Sequence, residues 1–267
     1  MRRVGYRSSI WLLILWAFGS CGCGKSGQDS RPPVAQIIEK NRAMTEAKLA
    51  SLAAISAAAL QHPELVEPTG PATGIRLDFA DMSREPAEGL VDSDTWNVLV
   101  VGEAALSRFG AVGESWPCRE FSPSGGPAAA MELVRHGTVN GSAMEDGPIR
   151  RKIVERYFRQ LEHMEYVVVL REILYEKSEI VDGLVGDKRF VPGKWMAEAR
   201  LFEIASGEYL GGVLDAATIS ADRLTPIGSS AEDIESALEC ALSAEALRNL
   251  GLAFRKHIPN TTPREIL

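Results

Sequence analysis

Residues 148–220 carry the pattern that most limits the fold. Ile149, Ile153, Tyr157, Leu161 and Met164 recur every three or four residues, and Phe158 widens the same stripe, which predicts an amphipathic helix over 148–164. The period then breaks directly into Tyr166-Val167-Val168-Val169-Leu170, the start of a strand reaching about Tyr175. Two more strands, Trp195–Ala205 and Tyr209–Ser220, are joined by Ser206-Gly207-Glu208, a short Gly-containing hairpin connection. Gly211-Gly212 inside the second arm predicts a bulge or a close backbone approach. Ser229-x-x-Glu232 is a capping-box pattern opening a helix that runs to about His257, with a break near Ser243. The order helix–strand–strand–strand–helix leads us to expect an antiparallel meander covered on one face by two helices.

The front half is less regular. Pro33 suits a first helical turn, and Val34, Ile37, Ile38, Met44, Leu49, Leu52, Ile55 and Leu60 follow at helical spacing, so residues 33–61 read as one long amphipathic helix. It serves either as a helix packed on the domain or as a stalk or helical pairing surface. Residues 62–74, with three Pro and two Gly, are a linker by composition. Ile75–Phe79 alternates like a half-buried strand, and Asn97–Val101 is an unbroken apolar run that predicts a central strand. A short helix is expected over Glu103–Phe109, a long loop over 110–126, another short helix over Ala128–His136, and a loop over Thr138–Gly147 containing Asn140-Gly141. The fold class is therefore α+β: a mixed or antiparallel sheet covered by helices, with a long N-terminal amphipathic helix before a globular domain at 75–267.

The amino terminus has a different character. Arg2, Arg3 and Arg7 precede the apolar run Ile10–Phe18, and small residues Gly19-Ser20 follow, the tripartite form of a secretory signal over 1–20. Nine apolar residues are too few to span about 30 Å of hydrocarbon. Phe18-Gly19-Ser20-Cys21 resembles the lipobox of bacterial lipoproteins, which usually has Leu at the first position and Ala or Ser at the second. The resemblance implies cleavage before Cys21, acylation of Cys21 and attachment to the bilayer, with Cys23 as second choice. An ordinary cleaved secretory signal is the alternative. Residues 21–32 would then be a polar tether, and the protein would belong to the cell envelope, on the extracytoplasmic side (the periplasm in a Gram-negative cell).

Charge separates the two parts further. The chain has 29 Lys+Arg against 36 Asp+Glu, a net −7; without the three arginines of the signal, 26 against 36 leaves −10. Neither a nucleic-acid footprint nor a polybasic membrane patch is present, and lipid rather than charge would do the anchoring. Gly19–Ser26 formally satisfies G-x-x-x-x-G-K-[ST], but Gly27-Gln28-Asp29-Ser30-Arg31-Pro32 cannot begin the helix a phosphate loop requires, so no nucleotide is expected. Asp92-Ser93-Asp94 with Asn97 and Glu103 fits a calcium loop poorly, since Trp96 would occupy a liganding position. His62, His136, His163 and His257 stand apart, and no G-x-S-x-G occurs. No catalytic residue, metal or cofactor is indicated.

Cys118 and Cys240 remain as a possible disulfide or as two small buried side chains. Trp116, Phe190 and Trp195, in or beside the segments Cys118–Pro127 and Ile180–Lys194, are either interface anchors or plugs at the edge of the core. The reading that results is a lipid-anchored, non-catalytic adaptor, assembly or modulating factor with an envelope-protein or wall partner. The alternative is an anchored extracytoplasmic hydrolase.

Overall fold

The computed structural model describes residues 32–61, 65–67, 74–79, 96–106, 125–139, 141–182, 188–219 and 231–262. The chain divides into two units, residues 1–31 and 32–267, and every described residue belongs to the second. In chain order the elements are α1 (Val34–Gln61), β1 (Leu77–Asp78), β2 (Val98–Gly102), α2 (Glu103–Leu106), α3 (Gly125–His136), β3 (Thr138–Val139) and β4 (Ser142–Ala143). They continue with α4 (Pro148–His163), β5 (Tyr166–Glu176), β6 (Glu179–Asp182), β7 (Lys188–Val191), β8 (Lys194–Glu203), β9 (Tyr209–Thr218), α5 (Ala231–Arg255) and β10 (Thr261–Thr262). The fold is α+β with a mixed sheet.

The main sheet has the order β2-β5-β8-β9. β5, β8 and β9 form the antiparallel meander. The bulge falls at the paired glycines: Leu201 opposes Gly211 but Phe202 opposes Tyr209, which leaves Leu210 extra, and Gly211 takes a φ of 114° that favours glycine. β2 joins the other side of β5 in parallel, Val98 opposite Tyr166, after a crossover containing α2, α3 and α4. The apolar run of β2 predicts a central strand, but among the described residues β2 is an edge of this sheet. It is apolar because both of its faces are covered: Leu99 and Val101 enter one core, Val98 and Val100 the other.

Those two cores correct the expected layering. Helices cover both faces of the sheet rather than one. On the first face α1, α3 and α4 pack through Leu52, Ile55, Met131, Leu133, Val154 and Phe158 against Val167, Val169 and Phe202. On the second, α5 packs through Leu242, Leu247, Leu250 and Phe254 against Val168, Leu170, Ala199 and Leu201. The strict alternation along β5 sends odd residues to one layer and even residues to the other.

α1 is fastened to its neighbours by helix-end chemistry. Its Arg42 donates to Val134 O in the last turn of α3, and its Lys48 donates to Glu162 O at 2.9 Å and Met164 O at the end of α4. Unpaired carbonyls at helix C-termini carry partial negative charge, so both cations are well placed. Burial pushes the Lys48 ammonium below its usual range, against the pull of Glu162 and Glu165. At the other end Val34 N donates to Asp146 Oδ1. α1 is thus a packed helix of the domain.

Three local expectations also change. The loop assigned to 138–147 contains the β3–β4 hairpin, Val139 opposite Ser142, with Gly141 at a φ of 73° in the two-residue connection. Within Ile180–Lys194, expected as a loop, β6 and β7 pair antiparallel, Ile180 opposite Phe190. α5 is continuous through Ser243, whose hydroxyl is buried and donates back to Glu239 O.

Candidate interaction surface

β5 is longer than the helices that cover it. Tyr166–Leu170 are buried, whereas the residues from Arg171 onward are half-buried or exposed. The boundary on the first face is marked by Arg200, a guanidinium only 2% exposed. Its Nη1 donates to Ala59 O in the last turn of α1 at 2.6 Å, its Nη2 pairs with Glu198 at 2.9 Å, and its Nε has no hydrogen-bond partner among the described residues. Glu198 also approaches Arg171 at 3.9 Å, and Arg171 grips Glu103 with two hydrogen bonds of 3.1 and 2.9 Å. A chain of alternating charge, Glu103–Arg171–Glu198–Arg200, therefore crosses from the end of β2 to the end of α1. Each carboxylate in it is committed to a guanidinium, so it offers charge and shape rather than a nucleophile.

Beyond this chain the sheet face is uncovered among the described residues. Residues directly opposite on neighbouring strands share a face, and the registers define three rows across β5, β8 and β9: Arg171, Glu198, Leu214; then Leu174, Met196, Ala216; then Glu176, Lys194, Thr218. The bulge at Ile173 keeps Arg171 and Leu174 on one side despite their odd spacing. Leu214 is 55% and Leu174 38% exposed, Ala216 and Thr218 are exposed, and Met196 is half-buried. Glu176 and Lys194 are paired at 3.0 Å at the outer margin. An apolar row framed by two rows of paired charges is the composition of a docking surface with a polar rim.

On the other face of the same strands α5 covers β8 and β9, whereas Tyr175 of β5 stays 38% exposed. Trp195 lies there at 3% exposure, its indole N–H donating to Glu172 Oε2, and Tyr175 OH donates to Glu239. Asp215 lies under α5 as well, opposite Ala197, with one carboxylate oxygen unpartnered among the described residues. Burial, aided by Glu245, pushes this carboxyl up to about 8 against the pull of the Ala216 N–H. It is enclosed rather than presented to a cleft.

The residues singled out from sequence are dispersed. Trp195 fills the α5 core, so it is a plug and not a surface anchor. Phe190 lies on β7 opposite Ile180. Cys240 lies on α5 and is disulfide-bonded. Trp116, Cys118, Cys21 and Cys23 lie outside the described residues, as does the segment 1–20 read from sequence as a signal. Sequence reasoning missed the uncovered face, although the switch at Arg171 from a continuous apolar run to mixed residues was a signal for it. Among the described residues no group of three or more His, Cys, Asp or Glu is placed to hold a metal ion, and no helix is long and apolar enough to cross a membrane.

No protein-family model, curated protein or solved structure matches the chain.

Proposed function

We propose that the protein is a lipid-anchored component of the cell envelope, acylated at Cys21 (Cys23 as second choice). Its α+β domain acts without catalysis, as an adaptor or assembly factor that docks a protein partner through the uncovered face of β5, β8 and β9. The observation that carries the docking part is the contrast along β5: one half is sealed between two helical layers, and the other shows Leu174 and its row to solvent. The same reading pairs Cys240 with Cys118, as suits an oxidising compartment. Nothing among the described residues favours the hydrolase alternative.

Two experiments test the parts separately. Radiolabelled fatty acid should enter the wild type and not Cys21→Ser; label retained with cleavage intact would move the acceptor to Cys23, and no label in either would refute the anchor. A photo-crosslinking residue at Leu214 should capture protein in the native envelope, while one at Ile149, exposed on α4, serves as control. Equal capture at both positions would refute the docking face.

A further inference from the structure

We infer that the uncovered face pairs with the same face of a second copy of this chain, about a two-fold axis that runs across the strands through Leu174 and Met196. The inference rests on the docking reading and names its partner.

The charges are arranged as a checkerboard. Arg171 and Glu198 occupy one row, Glu176 and Lys194 the other, so β5 reads plus then minus, and β8 reads minus then plus. A two-fold axis lying in the plane of the face and crossing the strands exchanges the two rows. Arg171 then meets Glu176 of the other copy, and Glu198 meets Lys194, all with opposite sign. The middle row meets itself, apolar against apolar. Four charges of alternating sign thus make the face complementary to itself, as an isologous interface requires.

Packing selects this axis over the alternative. An axis along the strands would also match opposite charges, exchanging β5 with β8. It would, however, bring the covered half of one sheet over the covered half of the other, where α1 already occupies the layer. The crossing axis turns the second copy end for end. Its bare half then lies over the bare half of the first and abuts the end of α1, where Arg200 holds Ala59. Stacked sheets lie about 10 Å apart, close to the thickness of a helix, so the layer started by α1 is continued by the other copy.

The area sets the strength. Three strands and six residues give about 14 Å by 20 Å, well below the roughly 800 Å² per partner of a stable interface. The pair should be weak in dilute solution and promoted by shared attachment to one membrane, which raises effective concentration.

The test uses the full-length protein in its native envelope, with a photo-crosslinking residue at Leu214 and mass spectrometry of the adducts. The expected product is an adduct of two copies of this chain. The double variant Glu176→Lys with Lys194→Glu keeps the net charge and the intrachain pair but sets like charges opposite each other. It should lower the homodimer adduct by roughly tenfold or more. Met196→Glu and Met196→Lys should each lose it alone and recover it when expressed together, because Met196 faces its own copy. Retention of the adduct in the double variant, or no recovery in the mixture, would overturn the two-fold geometry. Adducts to a different protein without self-adducts would overturn the self-pairing and leave the docking reading intact. No adduct from Leu214 would overturn both.

Discussion

Replacing Asp215 by Asn should remove the fall of stability with rising pH that this carboxyl causes. The wild-type carboxyl is 2% exposed, faces Glu245 from α5 and Ala197 from β8, and is pushed up to about 8 from an ordinary 3.8. A carboxyl raised in the folded state must take up a proton on folding between those values. Its contribution is therefore fully present below about pH 4 and is lost as pH rises through about 8. At about 1.4 kcal/mol per unit, stability falls by about 4 kcal/mol between pH 4 and 7 from this group. The substituted amide carries no such penalty, but its N–H₂ replaces an oxygen that lacks a partner and costs about 1–3 kcal/mol at every pH. The variant should be less stable than wild type at pH 4 and more stable by about 1–3 kcal/mol at pH 7, with the curves crossing between. Urea unfolding at pH 4, 5, 6, 7 and 8 reads this directly. If the wild-type slope between pH 5 and 8 survives in Asp215→Asn, the buried carboxyl is not its source and the reasoning fails.

Three further outcomes follow from the geometry. Arg200→Met should destabilise by about 2–4 kcal/mol, because Ala59 O loses its donor and Glu198 a partner; hydrogen exchange should accelerate at the C-terminal end of α1 and not at Val34. Gly193→Ala should destabilise by about 1–3 kcal/mol, since its Cβ would lie 2.9 Å from Ser178 N and 3.0 Å from Glu176 O besides striking the Ser178 hydroxyl; Ser178→Ala should rescue it only in part, and full rescue in denaturant titrations would contradict the backbone contact. Non-reducing peptide mapping should recover Cys240 joined to Cys118, and Cys240→Ser should cost about 3–5 kcal/mol in the chain-entropy estimate; a Cys240 peptide bridged to Cys23 would refute that pairing.

Local patterns were readable where one residue type forces one geometry. The unbroken run from Tyr166 to Leu170, the Ser206–Glu208 turn and the Gly211 bulge all rest on side-chain period or on positive φ, which the sequence states directly. The layering was not readable. An apolar residue in β2 is the same whether a neighbouring strand or a second helical layer hides it, so the run at 98–101 was consistent with a centre and with a doubly covered edge. Ser243 illustrates the same limit: its polarity suggested a break, and a hydrogen bond to Glu239 O absorbed it. The candidate face was hidden for a related reason. It depends on where α1 stops relative to β5, and that relation is fixed by contacts such as Arg200 to Ala59 between residues far apart in the chain.

The outer edge of the sheet bears on how such molecules meet at high density. Val66 O accepts from Gly212 N at 2.8 Å, and the side chain of Asn249 donates to Ala216 O at 2.9 Å. Two of the backbone groups that an incoming strand would seek on β9 are already engaged. An open edge invites endless lateral growth into ribbons, whereas a face related by a two-fold axis closes after two copies. Asn249 and Val66 thus bias crowded chains away from filament-like stacking and toward a contact that terminates itself.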